Sequence, residues 1–275
     1  MDKIRLLPRN AISHQVSISE MDRIFEDSGI WKQSWKPEHY LVEVGSDGHT
    51  TLCSDMFFNP EQDQPCILSR EVKEYFEQVS SQWDTIRRGF YGEEVREAVL
   101  MAARILPDQT VLDVGAGTGF LTEAASRKAR KVIALDFSES MIAEARTKLA
   151  GRNVEFRIGS AEQIPLPDAS VDAVIGNMVL HHCPRPETAV KEMTRVLAPK
   201  GRLVLSDLQE HNHDSLRKEH ADLWMGFKMS YVSGIMHEAG LEDVSVESLS
   251  SCCSETKEEG QINIPMFLAA GHKHW

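Results

Sequence analysis

No stretch of this chain approaches the unbroken apolar run of about 20 residues that a membrane-spanning helix needs. The opening "MDKIRLLPRNAISHQ" also lacks the apolar core of a signal peptide, so a cytoplasmic protein without a membrane partner is expected. Positive charge is scarce: 30 Lys and Arg stand against 42 Asp and Glu, for a net charge of -12. The acidic excess is spread along the chain, and a phosphate backbone needs a positive patch, so nucleic acid is not an expected partner. Five cysteines, Cys53, Cys66, Cys183, Cys252 and Cys253, are odd in number and lack CxxC spacing. That argues against a disulfide framework or a structural zinc knuckle. No internal repeat is present.

What remains is 275 residues, 41% hydrophobic and 26% charged, enough for one large soluble domain or one domain with an appendage. Residues 1–68 read as a small α+β unit. "SISEMDRIFEDSGI" starts with a capping-box-like Ser19 and Asp22 and stops at Gly29, which predicts a short helix. "HYLVEV", "GSDG" and "HTTLC" predict a β-hairpin, and "FFNPEQDQPC" a linker. From Ser69 onward, Val72, Tyr75, Phe76, Val79 and Trp83 fall at helical spacing. A second helix, "GEEVREAVLMAARIL", ends before Pro107.

Beyond it, short Val, Ile and Leu runs alternate with amphipathic helices: "TVLDVG", "LTEAASRKA", "KVIALD", "SESMIAEARTKLA", "VEFRIGS", "VDAVIGNMVL", "PETAVKEMTRVL" and "GRLVLSDL". That order predicts an α/β, doubly wound parallel sheet. "EDVSVESL" and "QINIPMFLAAGHK" follow with no helix between them, so a C-terminal antiparallel hairpin is expected to close residues 69–275.

The loop "DVGAGTGF" is the informative one. A dinucleotide fingerprint places its third glycine where Phe120 stands. Here the glycines fall at 115, 117 and 119, directly after Asp113, which can accept a hydrogen bond from a cationic amine. Asp136 ends the next strand, where a carboxylate can accept both hydroxyls of a ribose, and Phe137 can lie against an adenine face. Ser160, Ala161 and Glu162 end the following strand and can meet the adenine edge. The ligand so described is an adenosine that carries an ammonium group and needs no phosphate.

"LDVGAGTG", "ALDFSESM", "GSAEQIPLPDASVDAV", "NMVLHH" and "TRVLAPKGRLVLSD" together resemble the class I S-adenosylmethionine-dependent methyltransferases over residues 70–271. Within them the chain is similar to the small-molecule branch that includes quinone-biosynthesis and arsenite enzymes. The resemblance implies a Rossmann-like seven-stranded sheet and S-adenosylmethionine as cofactor. It implies that Asp113, Gly115 and Gly117 contact the methionine part, Asp136 the ribose, and Phe137 and Met141 the adenine faces. Ser160 and Ala161 would meet the adenine amine region, and Asn177 the methionine side. Ser160 replaces the family's usual aspartate, which would pass that contact to Glu162 or a carbonyl. A helix before the first motif covers the family's site, so Tyr75 and Trp83 would touch cofactor or substrate.

A sulfonium methyl is already activated, so transfer mainly needs an acceptor held in line about 3 Å away, and no metal is required. Base candidates are His181, His182, Asp207, His211 and His213, all following strands at the ligand edge, with His182 and His211 placed ahead. Cys183 follows the fourth strand, and Cys252 and Cys253 are expected in the loop joining the last two strands. In the family's strand order those strand ends lie about 10 Å apart. Three thiols converging there would suit a thiol or metalloid acceptor. The arsenite enzymes carry a cysteine where Met178 and Val179 stand here. Trp224 and Phe227, with Tyr75, Phe76, Trp83, Phe90 and Tyr91, are expected to form a lid. The expected activity is methyl transfer to a small molecule; the competing expectation is a cofactor-binding sensor whose first 68 residues bind a partner or a metal.

Overall fold

A computed structural model describes residues 40–44, 50–54, 67–213, 220–257 and 260–274. Contacts divide the chain into two compact units, Met1–Cys66 and Ile67–Trp275. In the first, β1 (Tyr40–Val44) and β2 (Thr50–Ser54) pair antiparallel with Val44 opposite Thr50. Their Val, Thr and Tyr content suits a pleated strand. The expected Ser19 helix and the linker at 57–66 lie outside the described residues.

The second unit opens with α1 (Ile67–Val79). A 3-10 turn at Ser80–Gln82 then separates α1 from α2 (Trp83–Phe90). The sequence periodicity predicts one continuous helix there, but Ser80 Oγ donates to the Glu77 carbonyl, 3.4 Å away. Such local hydroxyl bonds compete with the helical ladder. After α3 (Glu93–Ala103) come β3 (Thr110–Val114), α4 (Phe120–Ala125), β4 (Lys131–Asp136), α5 (Glu139–Lys148) and β5 (Val154–Ile158). They are followed by β6 (Val171–Asn177), a 3-10 turn (Leu180–His182), α6 (Pro186–Val196), β7 (Leu197–Leu208), α7 (Met229–Glu238), β8 (Leu241–Lys257) and β9 (Gly260–Lys273).

Seven strands form one sheet in the order β5-β4-β3-β6-β7-β9-β8. The first five are parallel, β9 runs antiparallel to β7, and β8 antiparallel to β9. The expected parallel sheet with its antiparallel C-terminal hairpin is therefore what the chain builds.

Both faces are covered, which is why the strands carry near-continuous apolar runs. Successive residues serve opposite faces. Leu112, Ile133, Val174, Leu203 and Leu205 pack with Ala189 and Met193 of α6 and Val232 and Met236 of α7. Val111, Val132, Ala173, Ile175 and Val204 pack with Val99 and Leu100 of α3 and Leu121 of α4. All of these side chains are buried, and at about 25 cal/mol per Å2 of apolar surface removed from water this burial is the main source of stability. The layering brings the carboxyl ends of β3, β4, β5 and β6 to one edge, beneath α1 and α2.

Candidate active site

A pocket at that edge, with an empty volume of about 1000 Å3 that includes the space at its mouth, draws its lining from the glycine loop, the four strand ends, α1, α2 and the turn after β6. Gly115 has φ +68, and a Cβ there would lie 2.6 Å from Val179 Cγ2. Backbone and neighbour both require glycine at that position. Gly119 has φ +97, with Leu149 Cδ1 at 2.8 Å from a virtual Cβ. The loop is thus turned tightly under the pocket floor.

Asp136 holds the loop from the next strand. Its Oδ2 accepts from Gly117 N at 2.8 Å and its Oδ1 from Ser138 N at 3.0 Å. Each carboxylate oxygen has a second lone pair to offer a ligand. Burial pushes its pKa up to about 6, against those backbone donors. Asp113 is 1% exposed, and its Oδ2 accepts from Thr122 Oγ1 at 2.5 Å. Burial, with the nearby Asp136 charge, lifts its pKa to about 7 although Thr122 opposes the rise. An ammonium ion delivered to this wall would offset that cost.

The roof is tied down by two carboxylates. Glu77 of α1 accepts from Glu139 N at 2.7 Å and Ser140 N at 3.2 Å, capping α5, and Ser140 Oγ donates to it as well. Asp84 of α2 accepts from Thr118 Oγ1 of the loop at 2.5 Å and pairs with Lys148 Nζ at 2.5 Å. Val72 and Phe76 of α1 pack on Met141, with Trp83 and Phe137 beside them.

Eleven of the twelve residues expected to meet the cofactor line the pocket: Trp83, Asp113, Gly115, Gly117, Asp136, Phe137, Met141, Ser160, Ala161, Glu162 and Asn177. Tyr75 does not; its ring packs edge-on against Phe76, and its hydroxyl lies 3.2 Å from His220 Nδ1. Ser160 Oγ accepts from Glu162 N at 3.1 Å. The Glu162 carboxylate accepts from Arg185 N at 2.6 Å and is pushed up by burial. Asn177 Oδ1 accepts from Ser206 Oγ at 2.7 Å, fixing the amide at the end of β6.

Of the base candidates, His182 lines the pocket. Its Nδ1 lies 3.2 Å from the Ala221 carbonyl. Burial first, then the neighbouring His181 charge, lower its pKa well below the ordinary value. His211 is buried away from the pocket lining, its Nε2 has no hydrogen-bond partner, and burial lowers its pKa to about 4. His181 is 2% exposed, with Nδ1 at 2.5 Å from Asp207 Oδ1 and Nε2 at 3.5 Å from Asp222 Oδ1. Burial disfavours its charge, but the two carboxylates outweigh that and hold its pKa up at about 9.

The expected convergence of thiols is not what the fold builds. Cys183 lines the pocket, donates to the Val179 carbonyl at 3.3 Å, and burial pushes its pKa well up. Cys252 and Cys253 lie within β8, opposite Pro265 and Ile264, rather than in the loop between the last strands. That strand is the outer edge of the sheet, three positions from β6, about 14 Å at the usual strand spacing. The hairpin is longer than its apolar core suggested, because alternating polar residues continue the pairing to Lys257 and Gly260. Trp224 also stays outside the lining; its Nε1 donates to the Cys183 carbonyl at 2.9 Å.

The pocket also takes Val72, Phe76, Tyr91, Phe120, Met178 and Val179. Phe120, which excludes a dinucleotide glycine, is itself a wall, with the buried Arg87 guanidinium 3.9 Å over its ring. That role had a sequence signal in its position at the start of α4; Val179 had none.

A family model described as a methyltransferase domain matches residues 112–205. The chain is 33% identical over 209 residues to the demethylmenaquinone methyltransferase of Clavibacter sepedonicus, covering 74% of this chain and 85% of that one. It is 38% identical over 112 residues to the arsenite methyltransferase of Halobacterium salinarum, but this covers only 38% of the chain and 29% of that relative. Among solved structures, the YcgJ protein of Bacillus subtilis superposes with a TM-score of 0.57 at 20% identity, over 67% of this chain and all of that one. The chain belongs to the class I S-adenosylmethionine-dependent methyltransferases. The pocket fits the family's cofactor: a glycine cradle, an Asp136 carboxylate in the wall with lone pairs left for a ligand, and a buried Asp113 that a cation would stabilise.

Proposed function

We propose that the protein transfers a methyl group from S-adenosylmethionine to a small-molecule acceptor that carries its own reactive lone pair at neutral pH. The cofactor supplies a methyl on a sulfonium, already activated for in-line attack. Asp113 pairs with the ammonium, Asp136 accepts from the ribose hydroxyls, Phe137 and Met141 flank the adenine, and Asn177 lies along the methionine side. Phe76, Trp83 and the rest of α1 and α2 exclude water above them. His182 positions the acceptor from the pocket wall.

The observation that carries this reading is that neither the imidazole nor the thiol on the β6 side of the lining is a ready base, while the lining carboxylates Asp113, Asp136 and Glu162 are engaged by Thr122, Gly117 and Arg185 donors. His182 is held neutral with a depressed pKa, Cys183 is kept protonated, and His211 lies outside the lining. A weakly basic imidazole gives little help in deprotonating a hydroxyl, so the acceptor must already be nucleophilic. Thiols, through their thiolates, and trivalent metalloids meet that condition. The acidic balance of the chain supports a small molecule over nucleic acid.

The test is a panel of thiol, arsenite, hydroquinone, amine and simple alcohol acceptors, read by mass spectrometry for S-adenosylhomocysteine and methylated product. Turnover confined to the intrinsically nucleophilic acceptors supports the reading; efficient methylation of the simple alcohol sinks it. The separate compact unit Met1–Cys66 favours a second reading, a cofactor-binding sensor whose residues 1–68 engage a partner or metal. Tight cofactor binding with no turnover on any acceptor supports the sensor.

A further inference from the structure

We propose that His181, His182 and Asp222 form a binding site for one divalent transition-metal ion of the zinc class, set behind the acceptor wall of the pocket. One ligand atom from each residue, two imidazole nitrogens and a carboxylate oxygen, all lie within 4.8 Å of one another. His181 Nε2 is 3.5 Å and His182 Nδ1 3.9 Å from Asp222 Oδ1. Those separations are long for an N–H···O hydrogen bond. They approach the edge of a tetrahedron of ligands at 2.0–2.1 Å, about 3.3 Å.

The surroundings hold the ligands in place. Asp207 Oδ1 sits 2.5 Å from His181 Nδ1 and turns the ring so that Nε2 faces Asp222. Its other oxygen accepts from Leu180 N at 2.8 Å and His181 N at 3.3 Å. A carboxylate on the far nitrogen of a ligating histidine is the usual support of a metal site. Asp222 is brought up by the chain itself: Leu223 N and Trp224 N both donate to the His181 carbonyl, at 2.9 and 3.1 Å. His182 Nδ1, now 3.2 Å from the Ala221 carbonyl, exchanges that contact for the ion.

Charge favours the same occupant. Asp207 and Asp222 are buried, 0% and 5% exposed, and an ion bound at His181 Nε2 takes the place of the proton that these carboxylates otherwise hold on that ring. Paired nitrogen donors select zinc, cobalt or nickel over magnesium and calcium, which take oxygen. The ion joins the turn after β6 to the segment entering α7, and so stiffens the wall that His182 presents to the acceptor.

Chelator-stripped full-length protein titrated with Zn2+ by calorimetry is expected to bind one ion per chain, with a dissociation constant on the order of micromolar or tighter. Co2+ is expected to give the visible absorption of a low-coordinate nitrogen and oxygen site. His182→Gln and Asp222→Asn should each weaken Zn2+ binding by about 100-fold or more, and Asp207→Asn by about 10- to 100-fold through loss of ring orientation. Circular dichroism and thermal unfolding check that each variant is folded; if one is not, the other decides. No Zn2+ bound by the unaltered protein, or binding undiminished in folded His182→Gln or Asp222→Asn, overturns the site. The readout is metal binding alone, so it stands apart from any failure of methyl transfer.

Discussion

The two ends of the pocket are held together by different means. At the β3–β4 end, the fixing bonds span 19 residues or fewer: the glycine turn, the Asp136 bonds to Gly117 and Ser138, and the Thr122 hydroxyl on Asp113. At the β6–β7 end, the turn carrying His181 and His182 is held by Asp207, by Asp222 and by the backbone of Leu223 and Trp224, all 26 or more residues away in the chain. Short-range fixing makes the glycine cradle depend on few distant contacts, whereas long-range fixing makes the turn after β6 depend on β7 and on the segment before α7.

The sharpest way to break the first end is Asp136→Ala. It removes the ribose acceptor and the anchor of Gly117 together, and truncating a buried, hydrogen-bonded charge costs several kcal/mol, so cofactor affinity by calorimetry should fall by about 100-fold or more. Unaltered affinity would refute the ribose assignment. Gly115→Ala comes next. A side chain at φ +68 and a Cβ at 2.6 Å from Val179 should cost roughly 2–4 kcal/mol in urea unfolding. Adding Val179→Ala should recover only part of the steric share, because the Cβ of residue 179 itself lies 2.9 Å from that position, and none of the backbone share.

Asp113 gives a pH signature. With its pKa at about 7 in the fold, the carboxylate that pairs with an ammonium is depleted in acid. Cofactor affinity should rise between pH 6 and 8, by at most about tenfold per unit. Stability runs the other way. A pKa raised above the ordinary 3.8 contributes stability that is fully present below pH 4 and lost as pH rises through 7. Asp113→Asn should therefore flatten both profiles, weakening cofactor binding by roughly tenfold at pH 8 while sparing or raising the melting temperature of ligand-free protein there. A lowered melting temperature in that variant would show that the charged form is needed for folding.

The smallest effect is expected at the roof. Glu77→Gln keeps the shape but weakens the cap on α5, a loss of about 1 kcal/mol or less. It should appear as faster cofactor release in stopped-flow measurements with little change in overall stability. Unchanged release would mean that the Glu77 contact does not hold α1 down.

Much of the cradle was legible because its requirements are local. Gly115 is forced by a turn, Asp113 and Asp136 by the ends of adjacent parallel strands, and these are spelled out in consecutive letters. What stayed hidden was set by distant parts of the chain. Asp222 carries no motif and acquires meaning only when the segment before α7 bonds to His181. Tyr75 has the right helical phase for the lid, yet turns toward His220, leaving Phe76 and Val72 to face the pocket. Cys252 and Cys253 looked like a loop because polar letters interrupt the apolar pattern, but hydrogen bonding to β9 extends β8 through them.

The sequence by itself determined the order of elements, the parallel sheet with its closing hairpin, and the adenosine cofactor, because hydrophobic period and glycine placement act within a few residues. Tertiary structure alone decided which histidine reaches the pocket, which cysteine joins it, and that two aspartates enclose His181. Those outcomes depend on strand order and on burial in low dielectric, and neither quantity exists until the sheet has closed.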